Sequence, residues 1–281
     1  GDDSIHVYGI TADMDFSTQP ICDAGTVQLN STSTSNDGIT HYQWTFGDGG
    51  TSTLQNPSHN YMQTGLFYPT LVVTSQNNCR DSIRSLVPVR IVASPQAAIN
   101  SSANGCVPVT MTFNGSLVVA DTSAVTWNWN FGNGQSSTLM NPSPVQYQNA
   151  GNYAVSLVVT NSSGCRDSVS TNIDAYPIPV VSAGPDTLIC QGTGRMLNAT
   201  GADTYQWSPA TGLSCTNCQN PIATPAVETQ YIVTGTTIHG CSSIDSMTVS
   251  VVLPFQMTTY GGDTLCVGKS TRMAASGAHH Y

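Results

Sequence analysis

Apolar side chains along this chain recur at every second position. Val27 and Leu29 alternate with polar neighbours, Tyr42, Trp44 and Phe46 do the same, and Leu71 and Val73 follow Phe67 in the same rhythm. Successive side chains of a strand point to opposite faces, so a period of two marks a strand with one buried face. No stretch carries the competing helical period. Clusters of Gly, Asn, Pro and Ser separate the short runs and supply the turns. Gly1 to Ile10 already read as a strand, with Ile5, Val7 and Tyr8 apolar, and Ala278 to Tyr281 carry no closing signal. The pattern predicts an interior piece of a longer all-β chain.

Self-comparison divides the pattern into units. Cys22, Cys106, Cys190 and Cys266 are separated by 84, 84 and 76 residues, Cys79, Cys165 and Cys241 by 86 and 76, and Trp44, Trp129 and Trp207 by 85 and 78. Three markers sharing one spacing define a repeat of about 80 residues. The spacing predicts the last strand of a preceding repeat at 1–10, two similar domains at 11–93 and 94–176, a related domain at 177–253 and the start of a further repeat at 254–281. Short strands with turn clusters at this interval indicate immunoglobulin-like β-sandwiches. In a tandem array each unit contacts only its neighbours, so the expected arrangement is a rod. Trp44, Trp129 and Trp207 fall where a central strand packs between the two sheets, and are expected in the cores.

The first unit reads Tyr42-Gln-Trp-Thr-Phe-Gly-Asp-Gly49, then Asn56-Pro57, His59-Asn-Tyr61, Gly65, Phe67, Leu71 and Val73. The second reads Trp129-Asn-Phe-Gly-Asn-Gly134, Asn141-Pro142, Tyr147, Gly151, Tyr153, Val155, Leu157 and Val159. Both resemble the PKD domain, whose signature runs W-x-F-G-D-G, N-P, H-x-Y and G-x-Y-x-V-x-L-x-V. The second unit departs from it by Asn133 in place of the Asp, Pro144 in place of the His, and one extra residue before Tyr147. The third keeps Tyr205-Gln206-Trp207 but continues Ser208-Pro-Ala-Thr-Gly-Leu213, without the Gly-Asp-Gly turn. That form is similar to the Ig-like repeats of giant cell-surface and secreted proteins of Bacteroidota, among them gliding-motility adhesins and type IX secretion cargo. The Cys79-Arg-Asp-Ser82 and Cys165-Arg-Asp-Ser168 runs resemble the same arrays.

Composition narrows the function. Charged residues are 8% of the chain, against roughly 25% in ordinary soluble domains. The 32 Ser and 35 Thr supply the missing polarity. With seven Lys and Arg and a net charge of -9 the chain cannot neutralise a run of phosphates, which excludes nucleic acid and anionic membrane surfaces as expected partners. No apolar run is long enough to predict a membrane-spanning helix. Nine cysteines in so uncharged a sequence indicate an extracellular or cell-surface protein with oxidised thiols, and the odd count leaves at least one without a partner in this chain.

Candidate chemistry is sparse. Asp48 in the Gly47-Asp48-Gly49-Gly50 turn is a candidate calcium ligand, but the alternating oxygen ligands of an EF-hand are absent and a tight turn closed by local amide bonds is the favoured reading. Cys215-Thr-Asn-Cys218 has the spacing of half a zinc ribbon; with no second pair, a local disulfide is expected. The histidines are scattered, and no nucleophile elbow, zinc-protease helix or paired-carboxylate motif appears, so neither catalysis nor a cofactor is expected. Asp-Ser/Thr followed by an aliphatic residue or Met recurs around Ser4, Ser82, Ser168, Thr187, Ser246 and Thr264. It resembles the O-glycosylation motif of Bacteroidota, although Asp-Ser could equally open the last strand of each unit.

Two disulfide schemes fit the repeat. Pairing within units joins Cys22 to Cys79, Cys106 to Cys165 and Cys190 to Cys241, leaving Cys266. Yet the first cysteine of each unit precedes the second strand, while the second lies in the turn between the last two strands, and in an Ig sandwich these are opposite ends. An eight-residue strand separates them by roughly 26 Å, whereas a disulfide needs Cα atoms within about 7 Å. Topology therefore favours a staggered scheme between adjacent units, Cys22 with Cys165 and Cys106 with Cys241, which directs Cys79 backward and Cys190 and Cys266 forward.

The resulting expectation is a structural one: spacer domains of a long extracellular stalk or filament, partnered by neighbouring repeats. The alternative is a module that binds surface polysaccharide or another cell-surface protein, accessory to a secreted hydrolase. A row of exposed aromatics on one sheet face would favour that alternative.

Overall fold

The computed structural model describes residues 9–118, 125–253, 258–260 and 274–276. All regular structure in them is strand. The first domain contains β1 (Ile10–Thr11), β2 (Met14–Phe16), β3 (Ile21–Cys22), β4 (Gly25–Ser31), β5 (Thr34–Ser35), β6 (Ile39–Thr45), β7 (Thr51–Ser52), β8 (Ser58–Tyr61), β9 (Gly65–Phe67), β10 (Thr70–Ser75), β11 (Arg80–Arg84) and β12 (Val89–Val92). The second contains β13 (Ala97–Ser101), β14 (Gly105–Cys106), β15 (Val109–Met111), β16 (Phe113–Leu117), β17 (Val125–Asn130), β18 (Ser136–Ser137), β19 (Val145–Tyr147), β20 (Gly151–Asn161) and β21 (Arg166–Tyr176). The third contains β22 (Thr187–Cys190), β23 (Arg195–Met196), β24 (Thr204–Ser208), β25 (Ile222–Ala223), β26 (Thr229–Thr236) and β27 (Ser242–Val252). Beyond it, β28 (Thr258–Tyr260) pairs antiparallel with β29 (Ala274–Ser276).

Tandem Ig-like β-sandwiches are thus the architecture. In the first, β11-β10-β6-β7 form one sheet and β2-β4-β8 the other, with Val27, Leu29, Trp44, Tyr61, Leu71 and Val73 packed between them. Ile10 pairs with Ser35 and belongs to this sandwich, although the sequence pattern assigns it to a preceding repeat; residues 1–8 lie outside the described residues. Proline shapes the strands. Pro69 and Pro88 carry no N–H for a ladder, and they sit in the gaps between β9 and β10 and between β11 and β12. Their counterparts β20 and β21 contain no proline and run unbroken for 11 residues each.

Two compact units partition the chain: Gly1–Ala103 with Thr110–Val145 and Tyr153–Ile173, and Asn104–Val109 with Gln146–Asn152 and Asp174–Tyr281. The division falls within β20 and β21, which contribute to both. In the first unit β13 pairs with β16, and β17 lies between β18 and β20. In the second, β14 runs parallel to the end of β21, and the third sandwich sets the sheet β22-β27-β26-β24 against β23-β25. Val181, Leu197, Trp207, Tyr231, Val233 and Met247 fill its core.

One anchor is repeated three times. Trp44, Trp129 and Trp207 are each at most 1% exposed. They lie opposite Leu71, Leu157 and Val233 on the neighbouring strand. Each indole N–H donates to a backbone carbonyl, Leu54 O at 3.0 Å, Leu139 O at 2.9 Å and Cys218 O at 3.0 Å. A buried indole needs such an acceptor, so the tryptophan fixes the loop after its strand as well as the core.

A second anchor recurs as strictly. The carboxylates of Asp81, Asp167 and Asp245 accept the backbone N–H of Ala12, Ala97 and Ala183, each at 2.8 Å. Each bond ties a residue at the start of its domain to the domain's last long strand. Ala183 is fully buried. Replacing Asp245 with Ala leaves its N–H without this acceptor, and the expected cost is about 1–3 kcal/mol. Urea denaturation of the variant should show the loss in the third-domain transition alone.

Candidate functional site

The Gly-Asp-Gly turn of the first domain is closed from within. Gly47 has φ of 88°, and a Cβ there would lie 2.9 Å from the backbone nitrogen of Tyr68, so glycine is required on both counts. The Asp48 carboxylate receives the Gly50 N–H at 2.9 Å on one oxygen and bonds His59 Nε2 at 2.7 Å with the other. His59 stacks on Phe46 with ring centroids 4.0 Å apart. The Tyr61 hydroxyl donates to Phe46 O at 3.0 Å. Burial works to raise the Asp48 carboxyl, but the His59 and Gly50 hydrogen bonds outweigh it and hold the group below the usual carboxylate range. Burial, with the nearby Asp48 charge, pushes the Tyr61 phenol upward. In the second domain both partners change together: Asn133 keeps the turn by accepting the Gln135 N–H at 3.0 Å, and the residue two before Tyr147 in β19, as His59 is two before Tyr61 in β8, is the buried Val145. The site is a turn lock. Both Asp48 oxygens are engaged, and among the described residues no cluster of three or more His, Cys, Asp or Glu could hold a metal ion.

In the third domain Cys215 is bonded to Cys218, closing the loop that follows the Trp207 strand. That loop carries the Cys218 carbonyl on which the Trp207 indole rests. A local disulfide here takes the place of the glycine turn of the other two domains.

The residues that stand apart are at the ends of the sandwiches. Cys22, at the end of β3, is bonded to Cys165 in the turn between β20 and β21, with Cα atoms 5.5 Å apart. Cys106, at the end of β14, is bonded to Cys241 between β26 and β27, at 5.6 Å. The structure therefore carries the staggered pairing, because the two cysteines of one sandwich lie at its opposite ends. Polar and aromatic contacts supplement each staple. At the first junction Asn161 Nδ2 donates to Ala93 O at 3.1 Å, and Asp23 fixes the linker by accepting the Ser94 N–H at 2.8 Å and its hydroxyl at 2.7 Å. Those bonds lower the Asp23 carboxyl. At the second, Tyr176 stacks on His239 with centroids 3.8 Å apart, and the Ser243 hydroxyl donates to Pro179 O at 2.6 Å. Asp23 and His239 carried no recognisable sequence signal, since their partners lie far along the chain.

Cys79 and Cys190 are free. Cys79 follows a turn pinned by Asp37, which accepts the Ser75 hydroxyl at 2.8 Å and the Asn77 N–H at 2.9 Å. The Ser35 hydroxyl bond contributes most to lowering Asp37, which falls to about 2. A folded-state pKa below the unfolded value of about 3.9 gives stability that is present above that value and lost as pH falls toward the folded pKa. Asp37→Asn should therefore destabilise the first domain at neutral pH, with the gap to wild type closing on titration from about pH 4 to about pH 2. Thermal melts across that range measure it.

The glycosylation candidates divide by position. Ser82, Ser168 and Ser246 are exposed, and Thr187 is partly buried. Ser4, Thr264 and Cys266 lie outside the described residues. In the four described motifs the aspartate is already engaged in the fold. Asp81, Asp167 and Asp245 hold the backbone N–H of Ala12, Ala97 and Ala183, and Asp186 accepts the Thr248 N–H at 2.7 Å.

The PKD domain family model matches residues 11–91 and 92–175, the first two sandwiches and more than half of the chain, so the chain belongs to the PKD domain family. Among solved structures it is similar to the PKD1 domain of Vibrio anguillarum Epp, at 24% identity and a TM-score of 0.26, over 30% of this chain and 95% of that one. The PKD1 domain of the Vibrio cholerae metalloprotease PrtV matches at 28% identity and a TM-score of 0.26, over 29% of this chain and 96% of that one. A structure from a 1.5-MDa bacterial ice-binding adhesin matches at 13% identity and a TM-score of 0.37, over 89% of this chain and 100% of that one.

Proposed function

We propose that these domains are spacers of an extracellular stalk or filament, joined end to end by disulfides so that a functional tip stands away from the cell surface. The observation that carries this reading is the pair of staples, Cys22–Cys165 and Cys106–Cys241. A crosslink inside a sandwich would stabilise one domain, whereas these restrict the hinge between two. The aromatic side chains count against a carbohydrate platform: among the described side chains, every Phe, Tyr and Trp is buried or partly buried. Sugar stacking needs an open ring face, and here the largest rings, Trp44, Trp129 and Trp207, are spent on the cores.

The finer assignment, to repeats of a gliding-motility adhesin or type IX secretion cargo of Bacteroidota, rests on the sequence resemblance of the third unit. Glycans on Ser82, Ser168 and Ser246 would solvate a surface that has few charges, and the intact mass of native protein tests them directly.

Solution scattering tests the stalk. Three domains of about 35 to 40 Å each should give a maximum dimension of roughly 100 to 120 Å. A compact particle with the first and third domains in contact would contradict it.

A further inference from the structure

The two free cysteines occupy the same backbone geometry as the bonded ones. At the edge-strand end, Cys22, Cys106 and Cys190 lie opposite Val92, Tyr176 and Val252 of the parallel neighbouring strand. In each case the next residue's N–H donates to that neighbour's carbonyl, Asp23 to Val92 O at 2.8 Å, Val107 to Tyr176 O at 2.9 Å and Gln191 to Val252 O at 2.9 Å. At the turn end, the carbonyls of Cys79, Cys165 and Cys241 accept the N–H of Ser75, Asn161 and Thr237 at 2.9, 2.9 and 2.8 Å. The residue before each cysteine is left-handed: Asn78 at φ 59°, Gly164 at 86° and Gly240 at 80°. Four of these six positions are covalently closed, and the two that remain, Cys79 and Cys190, are one of each kind.

Among the turn cysteines burial follows the same division: the bonded Cys165 is 0% exposed and Cys241 1%. Cys79, in the same turn, is only partly buried, and Cys190 is exposed, as is its bonded equivalent Cys22. One open thiol of each kind, in a chain whose other described thiols are oxidised, indicates pairing outside the chain.

We propose that the β22 end bearing Cys190 and the turn bearing Cys79 are complementary docking surfaces, each closed by a disulfide to another Ig-like domain of this kind. Cys190 takes a turn cysteine equivalent to Cys165 and Cys241; Cys79 takes an edge-strand cysteine equivalent to Cys22 and Cys106. The chemistry is exchange with a small-molecule disulfide. The Cys190 thiolate attacks the oxidant and releases one reduced thiol, then the Cys79-type thiolate displaces the second. The oxidant is reduced to two thiols that carry the two protons, and one protein S–S bond forms. The inference rests on the stalk reading, in which such staples join successive domains.

Because the chain carries both halves of such a junction, a turn cysteine and an edge-strand cysteine, a second copy serves as the probe. The 281-residue chain carrying Cys266→Ser is incubated with oxidised glutathione, and the products are separated without reduction and mapped. The expected result is a ladder of oligomers with Cys79–Cys190 as the crosslinked peptide. Cys79→Ser or Cys190→Ser alone should stop the ladder, and an equimolar mixture of the two variants should stop at dimers. Monomers in which both thiols still alkylate, or crosslinks between like cysteines, would overturn the inference while the Cys22–Cys165 and Cys106–Cys241 peptides leave the stalk reading intact. Loss of those internal peptides as well would overturn both.

Discussion

Replacing Trp44 with Ala is expected to unfold the first domain or bring it to the edge of unfolding, while the third retains its own transition. Trp44 is fully buried between the two sheets, opposite Leu71 and in the cluster with Val27, Leu29 and Tyr61. Truncating a buried aromatic to Ala costs about 3–5 kcal/mol, through lost transfer energy and a cavity that the sheets cannot collapse to fill. A domain stability of roughly 5–15 kcal/mol leaves little after such a loss. The indole bond to Leu54 O goes too, which releases the loop after β6. Trp44→Phe keeps most of the volume and should cost markedly less. Urea denaturation of the wild type and the two variants reads the difference. A Trp44→Ala protein with an unchanged first transition would mean that the core does not depend on this residue.

Breaking the first staple is expected to affect both stability and coupling. Cys22 and Cys165 are 143 residues apart in sequence, so their bond constrains an unfolded chain that includes most of two domains. A disulfide of this kind contributes about 2–4 kcal/mol, mainly by limiting the unfolded ensemble. In Cys22→Ala/Cys165→Ala the first two domains should unfold in separate, earlier transitions, whereas in the oxidised wild type they move closer together. Calorimetry in the absence of reductant distinguishes the two. Alanine is the appropriate replacement because Cys165 is buried, and a serine there would place a hydroxyl in an apolar setting.

What the sequence disclosed depended on whether a residue's partner was implied by the repeat. Period-two alternation and the spacing of Trp44, Trp129 and Trp207 led to strands, sandwiches and cores, because each signal is local or repeats in register. The staggered cysteines were legible for a related reason: an Ig topology puts the two positions at opposite ends, and strand length forbids a bond within one sandwich. Asp81, Asp167 and Asp245 were visible as a recurrence, yet they resembled half of a modification motif. Their role as clamps required knowing that Ala12, Ala97 and Ala183, each more than 60 residues away, would present an N–H to them. The pairing of Asp48 with His59 had a trace in the sequence, since the second domain has Asn133 in place of the Asp and no His before Tyr147. The breaks at Pro69 and Pro88 follow from the missing N–H. The hold of Asp23 on Ser94 depends on a residue with φ of 63°, which no pattern in the chain announces.

The stalk stands or falls on which cysteines are joined, and peptide mapping of the native protein without reduction reads that out. Thiols are blocked before digestion, and the disulfide-linked peptides are identified by mass. Crosslinks are expected between the Cys22 and Cys165 peptides and between the Cys106 and Cys241 peptides. A crosslink between Cys22 and Cys79, or between Cys106 and Cys165, would place the disulfides inside single sandwiches and contradict the end-to-end stapling of the domains.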